Sequence, residues 1–242
     1  MYSSLHCIAL RTVKYDDRRS IVTAWSAERG RVAFLVPSGA SREARRRRAL
    51  MMPLSLFEGE ADIRPGHDLL SLRDVRPSRV LASLSGDPAK AVVAMFLAEV
   101  LERVLREAPA DSLLTEFIFQ SVGALDGLER AVGVANFPLV FLYKLGRFLG
   151  IEPDAGLWRP GRIFDLQGGQ FRASAPLQGR WIEADEARFV HLLGRLDYST
   201  ASRLGIPRGD RRKALDTILE YYSLHYVRLT DLHSLPVVQE IF

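Results

Sequence analysis

Over roughly the first eighty positions, apolar residues either alternate with polar ones or come in short β-branched runs between turn signals. Leu5 to Val13 carries no helical stripe. After the polar turn Tyr15-Asp16-Asp17-Arg18-Arg19, the run Ile21-Val22-Thr23-Ala24-Trp25 has the β-branched and aromatic content of a strand. Ala27-Glu28-Arg29-Gly30 predicts a tight hairpin, and the return run from Arg31 to Val36 puts Val32, Phe34 and Val36 on one face by alternation. Pro37-Ser38-Gly39-Ala40 stops it. A basic loop then leads to two further strand candidates, Met51 to Ile63 and Leu69 to Val75, separated by the turn signal Arg64-Pro65-Gly66-His67-Asp68. Five short strands in about 75 residues predict a small closed barrel, of which the five-stranded OB-fold is the commonest solution.

The period changes near Ser85-Gly86-Asp87-Pro88. Asp87 suits a helix N-cap and Pro88 the first helical position. Beyond them Val93, Phe96, Leu97, Val100, Leu101, Val104 and Leu105 repeat at three-and-four spacing. Pro109 ends that helix, and Asp111 can cap the next, whose stripe is Leu113, Leu114, Phe117, Ile118, Val122 and Leu125. A third helical face carries Phe137, Phe141, Leu142, Leu145, Phe148 and Leu149, with Pro138 starting or kinking it. Residues 153–182 are punctuated by Pro and Gly, and Arg162 to Leu166 could pair with Gln170 to Ala173 across Gly168-Gly169. Helical periodicity returns with Phe189, Val190, Leu193 and Leu196, then Leu215, Ile218, Leu219 and Tyr222, and finally Val237, Val238 and Ile241. The expected fold class is α+β and multi-domain. Residues 1–80 form the OB-fold barrel, and residues 81–242 an all-α domain with a hairpin insertion at 153–182.

Charge sharpens this division. The net charge of +4 is unevenly distributed: residues 1–80 hold 15 Lys+Arg against 9 Asp+Glu, a net of +6, and residues 81–242 hold 18 against 20, a net of −2. Segregated positive charge on a small domain is the footprint of a polyanion-binding surface. The densest cluster is Arg42-Glu43-Ala44-Arg45-Arg46-Arg47-Arg48. Guanidinium groups fork onto phosphate oxygens and stack on bases, so such a segment suits a nucleic-acid backbone. Arg11, Lys14, Arg18, Arg19, Arg29 and Arg31 add charge on neighbouring strands and turns. Tyr15, beside a charged turn, is the aromatic best placed to stack on a base. Trp25 and Phe34 could stack or fill the core, and a small barrel needs fillers. A smaller cluster, Arg208 to Lys213, could extend a DNA path; Asp210 is the expected cap there.

Catalytic chemistry finds little footing. Asp16-Asp17 is a turn pair beside two arginines without metal spacing. His6 and Cys7 are neighbours on a strand and point to opposite faces, which disfavours a nucleophile–base pair. His225, with Tyr221 and Tyr222, is expected to be a satisfied helix histidine. No phosphate-cradling glycine loop is present, so no ATP site is expected. One cysteine, Cys7, excludes an internal disulfide and suits a reducing compartment. No apolar run reaches the length of a spanning helix, and the start lacks signal-peptide features, so a cytoplasmic protein is expected, nucleoid-associated if the basic domain holds DNA.

Three stretches resemble the RecO family of DNA-repair and recombination mediators. They are Ala9-Leu10-Arg11-Thr12-Val13-Lys14-Tyr15 with Ile21-Val22-Thr23 and the Gly30 turn; the basic segment Gly39-Ala40-Ser41-Arg42; and the ending. That ending combines Ile218-Leu219-Glu220-Tyr221-Tyr222-Ser223-Leu224-His225 with Leu232-His233-Ser234-Leu235-Pro236-Val237-Val238-Gln239-Glu240-Ile241-Phe242. Many family members carry four cysteines in a zinc ribbon after the helical bundle. Here residues 153–182 contain none, so the chain resembles the zinc-less branch, with no metal and no cofactor expected. The resemblance implies a non-enzymatic mediator that binds single- and double-stranded DNA and anneals complementary strands. It also implies work with RecR and with the acidic, apolar C-terminal tail of single-strand-binding protein to load recombinase. A tail of that kind wants an apolar groove rimmed by cations, and Lys144 and Arg147, beside Leu145 and Phe148, fit that chemistry. Two other readings stay open: a general RNA-binding OB protein, and a metal-dependent nuclease using Asp16 and Asp17.

Overall fold

A computed structural model describes residues 2–63 and 66–241. The chain forms two compact units, residues 1–127 and 128–242. Of the turn expected at 64–68, Arg64 and Pro65 lie outside the described residues, as do Met1 and Phe242.

In the first unit, β1 (Tyr2–Lys14), β2 (Arg19–Ser26), β3 (Gly30–Pro37), β4 (Leu56–Asp62) and β5 (Leu69–Pro77) close a barrel in the order β1-β2-β3-β5-β4. β4 pairs back onto β1, and the β3–β5 contact is parallel while the others are antiparallel. This is the OB-fold expected from the alternating pattern. Inward residues fill the barrel: Leu5, Cys7 and Ala9 from β1, Val22 and Ala24 from β2, Val32, Phe34 and Val36 from β3, Phe57 and Ala61 from β4. Phe34 and Phe57 meet edge to face at 6.2 Å. Gly30 adopts φ +71 at the β2–β3 hairpin, the left-handed conformation that a side chain disfavours.

Two long helices complete this unit, α2 (Pro88–Val104) and α3 (Ser112–Gly127). Asp87 caps α2 by accepting from Ala89 N at 2.8 Å, Pro88 opens it, and Asp111 accepts from Leu114 N at 2.9 Å at the start of α3. α2 packs against β1. Trp25 points out of the barrel yet is fully buried under α3, where its indole N–H donates to Thr115 Oγ1 at 2.8 Å. The hairpin end is equally close: a Cβ on Gly30 would stand 3.2 Å from Ala110 N, in the α2–α3 connection. The segment entering α2 is clamped to the end of α3. Asp126 Oδ1 accepts from Ser83 N at 2.8 Å and Leu84 N at 2.7 Å, Oδ2 accepts from Ala82 N at 3.1 Å, and the buried Lys90 donates to Ser83 Oγ and Asp126 O at 2.6 Å each.

The second unit is built on the buried helix α4 (Ala131–Phe148), with Pro138 in its interior. Phe137 stacks on Tyr198 at 4.5 Å, and Asn136 Nδ2 donates to Ala201 O and Leu204 O at 2.9 and 2.8 Å. A small sheet follows, in the order β7-β6-β8: β6 (Ile163–Asp165), β7 (Gln170–Arg172) and β8 (Trp181–Ile182). The hairpin through Gly168-Gly169 forms, and the sheet gains a third two-residue strand that the sequence pattern does not announce. Helices α5 (Ala184–Arg195), α6 (Tyr198–Ala201), α7 (Arg208–His225) and α8 (Leu235–Ile241) complete the unit. Tyr222 donates from α7 to Leu142 O on α4 at 2.6 Å, and His225 Nε2 lies 2.7 Å from Leu166 O, the satisfied state expected for that histidine.

Candidate nucleic-acid interface

The expected basic loop is a helix, α1 (Arg42–Ala49), and this corrects the sequence reading. The local signals are specific. Ser41 caps it by accepting from Ala44 N at 3.1 Å, and Glu43 sits in the first turn, where a carboxylate faces the positive helix end. Arg46, Arg47 and Arg48 occupy the last turn, where cations are favoured. Glu43 and Arg47 pair at 3.0 Å across one turn. Ala44 is the buried residue of the helix. Arg42, Arg45, Arg46 and Arg48 are exposed, and their side chains have no partner among the described residues.

The fold brings α1 to the same barrel end as the β1–β2 turn. Ser38 N, just past β3, donates to Arg18 O at 2.7 Å, and the Ser20 and Ser38 hydroxyls meet at 2.5 Å. Past the far end of α1, Met51 O accepts from Thr12 Oγ1 at 3.1 Å. Lys14, Tyr15, Arg18, Arg19 and the α1 arginines therefore share one end. Within the turn, Asp16 Oδ1 accepts from Arg18 N at 2.8 Å and its Oδ2 from Arg19 Nε at 2.7 Å, and Lys14 pairs with Asp17 at 2.6 Å. The hydrogen bond from Arg19 holds the Asp16 carboxyl below the ordinary aspartate range. Both aspartates thus serve arginine and lysine in the turn, an arrangement unsuited to a metal-binding dyad. Tyr15 is 56% exposed, with the Arg19 guanidinium 5.2 Å from its ring centre, so the ring is held in place while accessible.

Other expected site residues fall elsewhere. Arg29 and Arg31 lie at the opposite hairpin end, about 20 Å of strand away from Arg19. That end carries mixed charge: His6 bridges Glu28 at 2.7 Å and Glu58 at 3.2 Å, and Glu58 pairs with Arg76 at 2.6 Å. Arg11 is exposed but directed to Glu102 on α2, at 3.4 Å. Trp25 and Phe34 are fully buried and unavailable to bases. Lys144 is half-buried and Arg147 exposed on α4, while Leu145 between them is fully buried.

The second cluster of cations, Arg208 to Lys213, lies inside α7, which begins before the expected cap; Asp210 sits in its first turn instead. Arg208 donates to Glu240 O at 3.0 Å and Arg212 to Gln239 O at 3.1 Å, both at the end of α8. Arg211 donates to Ile206 O at 2.5 Å, and Lys213 pairs with Glu186 at 3.4 Å. Among the described residues, no group of three His, Cys, Asp or Glu side chains could hold a metal ion, and no helix is long and apolar enough to cross a membrane.

Comparison with known proteins places these features in context. The family described as "Recombination protein O N terminal" matches residues 1–80, and "Recombination protein O C terminal" matches residues 85–236. Proteins named DNA repair protein RecO from Phocaeicola vulgatus and from Bacteroides fragilis are each 36% identical, over 97% of both chains compared. One from Porphyromonas gingivalis is 30% identical over the same share.

Proposed function

The chain belongs to the RecO family of DNA-repair proteins, and from that premise we propose that it is a non-enzymatic recombination mediator which holds DNA at the α1 end of its barrel. The observation that carries the site is the set of four exposed arginines on α1, unpartnered among the described residues, beside Arg18 and the accessible Tyr15 ring. Such a surface neutralises phosphates on either a single strand or a duplex, and two strands held on it repel each other less. Annealing of complementary strands follows from binding energy without a nucleotide cofactor. Arg11, Lys14, Arg19 and Arg47 are bound to carboxylates and contribute less, while Arg29 and Arg31 make a separate, minor contact. RecR and the C-terminal tail of single-strand-binding protein are the protein partners of this reading. Lys144 and Arg147 give that tail one cationic surface, although Leu145 beneath them is closed. A helical region of residues 81–242 devoted to partners completes the division of labour, within a cytoplasmic, nucleoid-associated protein.

The test is an annealing assay with labelled complementary strands, bare and coated by single-strand-binding protein. Acceleration in both cases, without cleavage in Mg²⁺ or Mn²⁺, is the expected result. Cleavage would favour the nuclease reading, and preference for RNA over single-stranded DNA in competition would favour the RNA-binding one.

A further inference from the structure

The cation cluster Arg208 to Lys213 has no part in the α1 surface, and a small element covers two of its members. Arg208, Arg212 and Asp216 follow one another at four-residue spacing and so form one exposed stripe along α7. Each meets the last turn of α8: Arg208 donates to Glu240 O at 3.0 Å, Arg212 to Gln239 O at 3.1 Å, and Gln239 Nε2 donates to Asp216 Oδ1 at 2.8 Å. Little else holds α8. Its seven residues fall well short of the roughly 12 that an isolated helix needs in water. Val238 is its one buried side chain among the described residues, while Pro236, Val237 and Glu240 are exposed. The chain just before it is fixed, with Leu229, Leu232 and Ser234 buried, so α8 can lift about Leu235 without disturbing what precedes it.

We propose that α8 is an autoinhibitory latch: it masks Arg208 and Arg212, which become a second contact for nucleic-acid phosphates once α8 lifts. The proposal rests on the reading that the protein binds DNA, and it adds a site on the helical unit that is closed while α8 is docked. The covering contact is exchangeable. A neutral carbonyl is a weaker acceptor for a guanidinium than a phosphate oxygen, which is charged and takes two parallel N–H bonds. Both arginines are exposed, so water competes at their carbonyl contacts as well. With α8 lifted, the two guanidinium groups are freed together, one turn apart on the same helix face. Asp216 is freed with them and offsets part of the gain at Arg212. Arg211, bonded to Ile206 O, and Lys213, paired with Glu186, are held by partners outside α8 and stay as they are. The latch therefore governs one to two phosphate contacts.

The experiment uses the full chain and a fluorescein-labelled oligothymidylate, titrated by anisotropy over a range of salt. Val238→Asp removes the buried anchor of α8. Gln239→Pro breaks the same helix without placing a charge in the core, and so covers the case in which Val238→Asp misfolds. Faster amide hydrogen exchange over residues 235–241, with parental rates elsewhere, establishes that α8 has lifted. The expected result in either variant is a log-affinity against log-salt slope steeper by roughly 0.7–1.8, and affinity raised about fivefold near 0.1 M salt. Adding Arg208→Ala/Arg212→Ala to the variant should return both to the parental values. A parental slope with α8 lifted overturns the latch and leaves DNA binding by α1 standing. A gain that survives Arg208→Ala/Arg212→Ala also overturns it, because some other surface has then been uncovered. No DNA binding by the parent overturns the α1 reading instead, and the latch then stands only if the Val238→Asp protein binds through Arg208 and Arg212.

Discussion

Two arginine clusters of similar density sit on two helices and have opposite environments. On α1, Arg42, Arg45, Arg46 and Arg48 reach solvent, and only Arg47 meets a carboxylate on the same helix. On α7, Arg208 and Arg212 cover the last carbonyls of α8, Arg211 turns to Ile206 O, and Lys213 meets Glu186. The last carbonyls of a helix have no intrahelical donor and carry its negative pole, so the α7 cations act as a C-cap for α8. Charge density in a sequence therefore does not measure charge available to a ligand. What separates the clusters is whether an orphaned acceptor lies within reach.

The largest expected effect removes the free set. Changing Arg42, Arg45, Arg46 and Arg48 together to Ala should lower DNA affinity on the order of 10²–10³-fold near 0.1 M salt, for single strands and duplexes alike. Fluorescence anisotropy checks it, with circular dichroism confirming the fold. The α7 set should behave inversely: Arg208→Ala/Arg212→Ala costs about 1 kcal/mol of stability in urea unfolding, discounted for exposure, and leaves DNA affinity within about twofold.

The joint between barrel and helices should be sensitive in a third way. Asp126→Ala strips the acceptor from three backbone N–H groups and should cost about 1–3 kcal/mol without changing DNA affinity. Partial burial pushes the Asp126 carboxyl up, but its hydrogen-bond donors from Ser83, Leu84 and Ala82 outweigh this and hold it below the ordinary aspartate value of 3.8. A depressed carboxyl contributes its stability in full above the unfolded pKa and loses it as pH falls through the folded one. The difference between parent and Asp126→Ala should thus be constant at neutral pH and shrink below about pH 4. Tyr15→Ala is expected to weaken single-stranded DNA by about 1–3 kcal/mol, the contribution of one stacked base, with Tyr15→Phe near parental. Least of all is Arg47→Ala, whose paired guanidinium should matter less to DNA than that of Arg45.

Much of the fold was legible, and the exceptions have physical causes. Alternation located the five strands, the Gly30 turn, and the Asp87-Pro88 and Asp111 helix starts, because each is fixed by neighbours in sequence. Four consecutive arginines suggest a solvated loop where the chain forms α1. The helix signals there are the Ser41 cap and the Glu43–Arg47 spacing, which basic composition masks. Sequence leaves Phe34 and Trp25 open between stacking on bases and filling the core; both are buried, but filling the barrel is the reason only for Phe34. It points into the barrel, whereas Trp25 points out and is covered by α3, a tertiary contact no local pattern encodes. β8 spans two residues, below any periodicity. The basic site was legible as composition and not as geometry. Sequence grouped Arg29 and Arg31 with Arg18 and Arg19, yet the hairpin carries them to the other barrel end.

The arginines free to meet phosphate are counted by the salt dependence of DNA binding. The log-affinity against log-salt slope should be measured for the parent, the Arg42/Arg45/Arg46/Arg48→Ala variant and an Arg208/Arg211/Arg212→Ala variant. Each lost phosphate contact flattens the slope by roughly 0.7–0.9. The α1 variant should therefore flatten it by about 3, and the α7 variant should leave it unchanged. A parental slope in the folded α1 variant, or an equal flattening in the α7 variant, would contradict the assignment of DNA to the α1 end of the barrel.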